Sequence, residues 1–499
     1  MTAQPGKSRN ARLLIPLIAA LSFVAGYMAG GLSGPFFAVR QVAGGEAQPA
    51  KDALWRLNEV LGYLTAHAIN PLSADSLASE AIHHWMRGLD PYSAYLSPKE
   101  RRAAEDRLTG TYFGLGLGYE LRRDSMVVIS LTQGGPAEIA GIHEGDRLLA
   151  AGPVGSTLKD MIAPAVKQVL TERMDSIWRL RLFRPIGRQI LELTCTATRL
   201  PLPGIGPALL LEPGLAYLRI REFSELTDRQ FLSAMDSLFA TGSQEKDLIL
   251  DLRDNPGGLL ESSIKIINQL IPEAGKVMLT TVSGRGKRTV FKTSGRSFFR
   301  IRRLVVLVNE KTASAAEILA GALKDLDRGT LIGRPTFGKG LIQHAFPLSD
   351  GGLLKLSTSR CYTPSGRQIQ LPLTGEQSGT AQGRIHPNIA VPLSSWDTFP
   401  AWQDARLLLS GFARTNKPVG AARQAALRAM RTGAEHPLLE DFLRQCGLPL
   451  ASSQFVGKQL ALACAQNWLG GSEALKMALE EDPIMRAARL FLSEKSTTE

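Results

Sequence analysis

The chain has 499 residues, several times the size of an ordinary domain, so a multidomain protein is expected. Apolar residues make up 44% and charged residues 21%, a balance that excludes a disordered chain and a multi-span membrane protein. Four cysteines without a CxxC pair exclude a disulfide scaffold and give no sign of structural zinc, while a net charge of +12 favours anionic surroundings, a membrane surface or nucleic acid.

Lys7, Arg9 and Arg12 precede a charge-free window of 27 residues, Leu13 to Val39, and the first acidic residue is Glu46. A basic flank before an apolar run is either a secretory signal or a single span whose basic end stays in the cytoplasm. The window exceeds the roughly 20 residues that a crossing needs. The absence of an A-x-A site favours an uncleaved anchor over a cleaved signal, and Pro16, Gly26, Gly30 and Gly31 disfavour a buried soluble helix. Export makes nucleic acid an unexpected partner. Residues 1–40 are therefore read as a stub plus anchor or signal, with the rest of the chain outside the cytoplasmic membrane.

Gly44 to Lys51 reads as a linker. A helical segment follows over 51–106, with Leu54, Leu57, Val60, Leu61 and Leu64 at three- and four-residue spacings. LDPYSAYLSPKE at 89–100 breaks it. Residues 107–200 alternate short strands with Gly-rich turns, and Pro201 to Pro207 read as a hinge. From 208 to 395 strands alternate with helices, the mark of a layered α/β unit. The predicted strands are 215–220, 248–252, 304–308, 329–333 and 341–346, and the predicted helices are 228–240, 260–270 and 314–324. Residues 396–499 are predicted helical.

The strand LVVLV delivers Ser314 to the first turn of the helix SAAEILAGALK. Free N–H groups and partial positive charge at a helix start suit a nucleophile whose attack creates an oxyanion. Ser314 and Glu317 also form a Ser-x-x-Glu capping box, so a plain cap explains the same residues. Lys339 lies 25 residues on, in the Gly-flanked loop TFGKG. It is either a solvated loop charge or an amine whose desolvation leaves it neutral and able to accept a serine proton. The second alternative is the Ser-Lys form of the nucleophile–base pair, with Gln343 four residues later able to orient the amine. The turn RDNPGG at 253–258 closes another buried strand, and its glycines let backbone N–H groups approach a substrate. The N–H of Ala315 with that of Gly257 or Gly258 is the candidate oxyanion hole.

The strings LDPYSAYLSPKE, ILDLRDNPGGLLESSIKI, LVVLVNEKTASAAEILAGALKD and TFGKGLIQ resemble those of the carboxyl-terminal processing peptidases, or tail-specific proteases, over residues 52 to about 393. The resemblance implies a multidomain α/β chain: a ClpP/crotonase-like ββα peptidase core, an inserted PDZ domain, an N-terminal helical segment and a C-terminal helical region. It implies Ser314 as nucleophile, Lys339 as general base and Gln343 as the residue that positions it. No cofactor and no metal are implied. The family's common ASASE has Ala316 here in place of its second serine. Gly114, Leu115, Gly116 and Leu117 resemble the PDZ loop whose N–H groups hold a free C-terminal carboxylate. The implied partners are protein substrates with free C-terminal tails, met outside a bacterial cytoplasmic membrane by an enzyme held there through its N-terminal segment.

A rival reading is a non-catalytic PDZ adaptor at the membrane, which would not need the Ser, Lys, Gln and NPGG set together. The PDZ module is further expected to cover the active site until a tail binds. The helical ends are read as assembly surfaces, for example of a homodimer. Nine basic residues and no acidic one lie between Lys276 and Asn309, read as a solvated hairpin or a contact with anionic lipid. His344 alternates with Gln343 along one strand, so a Ser-His pair through it is disfavoured. Cys195, Cys361, Cys446 and Cys464 read as buried thiols, with Cys446 and Cys464 the pair best placed to bridge if any does.

Overall fold

The computed structural model describes residues 48–69, 73–122, 125–132, 134–154, 177–184, 188–240, 245–372, 383–393, 422–468, 471–494 and a few positions between 409 and 418. The apolar window 13–39 lies outside them. No described helix is long and apolar enough to cross a membrane. The described chain divides into two units, up to Trp85 and from Met86 on.

The first unit holds the helix Gln48–His67 and most of the helix Ala74–Leu89. The first helix begins inside the predicted linker, because Pro49 in its opening turn forfeits no intrahelical hydrogen bond. Its stripe of Leu54, Leu57, Val60 and Leu64 is exposed, as are Trp55 and Tyr63.

In the second unit the break at 90–97 is more than a helix stop. Ala94–Leu96 is a strand, paired antiparallel with Leu353–Tyr362, and too short to show as a periodic pattern. Ser97 then starts the helix Pro98–Thr109: its N–H donates to Glu100 Oε2 at 2.9 Å, Pro98 opens the first turn, and Gly110 at φ 77° closes the last.

The module expected to be a PDZ domain forms an antiparallel five-stranded sheet from Leu117–Arg122, Ser125–Leu131, Arg147–Pro153, Ile177–Arg184 and Gln189–Thr196. Thr111–Gly114 pairs separately with Thr198–Pro201. Met126, Val128, Ile142, Leu148, Trp178, Leu180 and Leu182 form its own core. Buried Asp146 accepts both Arg184 Nε (2.9 Å) and a terminal guanidinium nitrogen (2.8 Å), an ion pair the sequence reading missed. Instead of the predicted hinge, the chain turns directly into the strand Ile205–Glu212, because Gly204 packs against Thr227 where a side chain would not fit.

That strand edges a six-stranded sheet completed by Leu215–Ile220, Glu245–Asp251, Arg300–Val308, Thr330–Gly333 and Ile389–Ala390. All neighbours are parallel except the edge pair with Ile205–Glu212. Central strands buried on both faces need continuous apolar runs, which LILDL and LVVLV supply. The helices Thr227–Phe239, Leu260–Leu270 and Ala315–Asp325 cover one face and share its core with Met278, Leu279 and Cys361 of a second, antiparallel sheet. Two strands of that second sheet have no counterpart in the sequence reading, Ala94–Leu96 and Leu353–Tyr362. The basic stretch contributes a hairpin to it, Ala274–Ser283 with Arg288–Ser294, while Arg302 and Arg303 bind Asp247.

Tyr217, Ile249, Val305, Leu307 and Ile332 line the opposite face and are covered by Ile484, Met485, Ala488 and Leu492 of the helix Pro483–Glu494. The final helix, expected in a separate C-terminal region, is thus a layer of the α/β core. The other C-terminal helices, Ala422–Thr432, Pro437–Cys446, Ser453–Trp468 and Gly471–Glu481, surround an apolar cluster of their own. All four cysteines are free thiols, including Cys446 and Cys464.

Candidate active site

Two adjacent parallel strands deliver the site. Asp251 stands beside Leu307 in register, and past these residues each strand runs into a turn and then a helix. The turns are lashed together: Thr312 Oγ1 donates to the Leu252 carbonyl (2.9 Å), the Ala313 N–H to the Asn255 carbonyl (2.9 Å), and the Asp254 N–H to Asn309 Oδ1 (3.0 Å). A third loop joins through the Phe337 N–H, which donates to the Thr312 carbonyl at 2.9 Å.

Ser314 sits half-buried at the head of its helix with φ 56° and ψ −118°. A non-glycine residue held at positive φ stores about 1–3 kcal/mol of strain, kept only where the surroundings over-determine it. The surroundings here are Glu317 and Gly257. The Ser314 N–H donates to Glu317 Oε2 at 2.8 Å, whereas the Glu317 N–H meets the Ser314 carbonyl at 2.8 Å, so the hydroxyl is not spent on the cap. Gly257, at φ 99°, lies so close that a Cβ there would stand 2.7 Å from the Ser314 Cβ.

Glu317 is fully buried and reaches the Lys339 loop as well. Its carboxylate accepts Thr336 Oγ1 (2.5 Å), the Gly338 N–H (2.7 Å) and the Lys339 N–H (2.8 Å). Burial pushes its pKa up, above the ordinary value, although these donors all pull it down.

The half-buried Lys339 amine donates to Gln343 Oε1 at 3.3 Å and lies 4.8 Å from the centre of the Tyr92 ring. No hydrogen bond joins it to Ser314 among the described residues. Burial is the main cause that lowers its pKa below the lysine value, and Lys355 lowers it further, while Asp90 and Glu317 act oppositely. Gln343 is itself held, its Nε2 donating to the Tyr92 carbonyl. His344 is exposed and bonds Thr358.

Of the candidate oxyanion donors, the Gly257 N–H is taken by Asn255 Oδ1 at 2.8 Å. The N–H groups of Gly258 and Ala315 have no acceptor among the described residues. A cavity of about 390 Å³ lies behind these turns, lined by Arg219, Arg253, Asp254, Arg334 and Asp482, with neither Ser314 nor Lys339 in its wall.

In the PDZ-like loop Leu115 is buried, Gly116 takes φ 77°, and their carbonyls accept the Ala137 N–H (2.8 Å) and the Thr132 N–H (2.7 Å). Residues 155–176, which follow the strand Arg147–Pro153, lie outside the described residues.

Comparison with known proteins decides the family. Residues 214–389 match the model of peptidase family S41. A carboxyl-terminal-processing protease of Picosynechococcus is 31% identical over 304 residues, 60% of this chain and 72% of that protein. The chain belongs to peptidase family S41. The carboxy-terminal processing protease CtpA of Bacillus subtilis is 28% identical over 376 residues, 75% of this chain and 76% of that one. Among solved structures, the photosystem II D1 C-terminal processing protease is 29% identical and covers 68% of this chain and 86% of its own, with a TM-score of 0.40. The S41 membership makes the chain a serine peptidase of the C-terminal processing kind, in a multidomain α/β fold. Sequence reading supplied Ser314, Lys339 and Gln343 but gave Asp90, Tyr92 and Lys355 no part in the site. Their only signal was their place in or beside the LDPYSAYL string and its partner strand.

Proposed function

We propose that the protein is an endopeptidase using a Ser314–Lys339 dyad on exported proteins whose C-terminal tails are presented by the PDZ-like module. The observation that carries the dyad is the shared Glu317 carboxylate, which ties the Ser314 turn to the Lys339 turn. In the proposed dyad the amine leaves Gln343 to meet the serine. Its lowered pKa supports a neutral, proton-accepting form.

In the proposed reaction Ser314 Oγ attacks the peptide carbonyl carbon and its proton passes to Lys339 Nζ. The oxyanion faces the N–H groups of Ala315 and Gly258. Collapse breaks the C–N bond, and Lys339 returns the proton to the leaving amine. Water, deprotonated by Lys339, then attacks the ester carbonyl, the bond to Ser314 Oγ breaks, and Lys339 returns the proton to that oxygen. Gln343 holds the amine between these transfers. Gly114, Leu115, Gly116 and Leu117 are the proposed seat of the tail's carboxylate, and the apolar window 13–39 supports a site of action outside a bacterial cytoplasmic membrane.

Ser314→Ala and Lys339→Ala should each abolish cleavage of a tailed substrate without unfolding, and Ser314→Ala should lose labelling by a fluorophosphonate. Undiminished turnover by either variant sinks the dyad. A non-catalytic adaptor is not favoured, since family membership and the strained Ser314 both belong to an enzyme.

A further inference from the structure

The turn at 90–93 reads in the sequence as a helix break within a family-like string, with no part in the site, yet it is among the most heavily bonded pieces of the site. Asp90 Oδ1 accepts the Tyr92 N–H and the Ser93 N–H at 2.8 Å each and Ser357 Oγ at 3.0 Å, while Oδ2 accepts Ser93 Oγ at 2.6 Å. Ser93 Oγ in turn accepts the Ser357 N–H at 3.0 Å. Ser357 stands opposite Gln343 in the antiparallel register. The turn is therefore locked to the strand that neighbours Gln343.

What the locked turn presents is Tyr92. Its ring centre lies 4.8 Å from Lys339 Nζ, and its carbonyl accepts Gln343 Nε2. The amide so fixed turns its oxygen to Lys339 Nζ at 3.3 Å. The Tyr92 hydroxyl makes no hydrogen bond to a described residue, so the ring and the backbone are the parts in use.

We propose that Tyr92 is a positioning residue that holds the Lys339 amine from two sides, by its ring directly and by its carbonyl through Gln343. This rests on Lys339 being the general base. The ring has two opposed effects on the amine. It excludes water, which favours the neutral form, and its π face attracts the ammonium, which favours the charged one. The other charged groups facing the amine are Lys355 from the paired strand, Asp90 from the turn and Glu317 from the helix, and substitution of Tyr92 leaves all three in place.

The test is the pH dependence of kcat/KM, and of fluorophosphonate labelling, in Tyr92→Ala, Tyr92→Leu and Tyr92→Phe. Opening the site to water in Tyr92→Ala should move the acid limb up by about one pH unit, lowering the rate near neutrality about tenfold. Tyr92→Leu keeps the amine dry but removes the π face, so its acid limb should lie at or below that of wild type. Tyr92→Phe, with ring and carbonyl intact, should restore the wild-type profile. If Tyr92→Ala does not fold, the Leu and Phe pair carries the comparison. Profiles of unchanged shape in both Ala and Leu, or failure of Phe to rescue, overturn the proposal. Activity retained in Lys339→Ala instead overturns the dyad itself, so the two failures are distinguishable.

Discussion

The backbone N–H groups of Ser314 and Lys339 donate to the same atom, Glu317 Oε2, at 2.8 Å each. Their nitrogens therefore lie within twice that distance, although 25 residues separate them in sequence. One buried carboxylate sets the distance between proposed nucleophile and proposed base. Glu317→Gln offers one amide oxygen where two carboxylate oxygens served four donors. Each stranded donor costs about 1–3 kcal/mol, so the variant should melt several degrees lower. Its kcat should fall about a hundredfold, more than the loss of stability explains, because the two turns drift. Steady-state kinetics beside thermal melts check this. A wild-type kcat in Glu317→Gln would contradict it.

Gly257 and Gly258 are adjacent, yet alanine should fail at each for a different reason. At Gly257 the new Cβ would meet Ser314 Cβ at 2.7 Å and the Ala313 carbonyl at 2.8 Å. The clash is with the turn of the proposed nucleophile, so Gly257→Ala should fold and lose about a hundredfold or more in kcat/KM. At Gly258 the Cβ would stand 2.0 Å from the Phe223 carbonyl oxygen, a backbone atom of the core. Gly258→Ala should instead give little folded protein. Soluble yield and circular dichroism separate the two outcomes, and equal behaviour would refute the distinction.

The contrast between what was legible and what was not follows the range of the interactions. LILDL and LVVLV announce doubly buried parallel strands, and Ser314 with Glu317 announces a helix start, because each signal is local. The helix Leu260–Leu270 was bounded correctly for the same reason. Ala94–Leu96 was missed because three residues carry no period, and the strand exists only by pairing with Leu353–Leu354–Lys355. From the sequence alone, capping suffices to explain Glu317. Its other three donors come from 336–339, a loop that only the tertiary fold brings near. The helix Pro483–Glu494 reads in the sequence as part of a separate region, since amphipathicity reveals a buried face without saying which sheet buries it.

Lys355 makes a prediction of definite sign. Burial is the larger cause that lowers the pKa of Lys339, and the positive charge of Lys355 is the second. Lys355→Met removes only the second. The pKa of Lys339 should then rise, and a smaller fraction of the amine is neutral at any given pH. Since in the proposed dyad the neutral amine accepts the serine proton, the acid limb of kcat/KM should move to higher pH by about half a unit to one unit. Lys355→Glu should move it further in the same direction. Coincident profiles for the three proteins would show that the two amines do not interact.

Arg253 couples the turn of the candidate site to the C-terminal helix. Its guanidinium makes two bonds to fully buried Asp251, at 2.9 and 2.6 Å, and also binds Asp482 at the start of Pro483–Glu494. Burial alone would raise the Asp251 carboxyl, but the Arg253 bonds and charge and the Tyr217 hydroxyl outweigh it and hold the pKa below the ordinary 3.8. A carboxyl depressed in the folded state contributes its full stability above the unfolded pKa and loses it as pH falls through the folded value. Wild type should therefore keep this contribution down to about pH 4. Arg253→Ala leaves the buried Asp251 without its ion-pair partner, with the Tyr217 hydroxyl and the residue-253 N–H still donating to it, at a cost of about 3–5 kcal/mol. Burial then dominates, the carboxyl pKa rises, and the acid-unfolding midpoint should move to higher pH than in wild type. The double variant Asp251→Leu with Arg253→Met removes both charges and should be more stable than Arg253→Ala alone. Thermal melts of the three proteins between pH 3 and pH 8 read both effects. A single variant as stable as wild type across that range would mean that the helix Pro483–Glu494, not the ion pair, holds the turn.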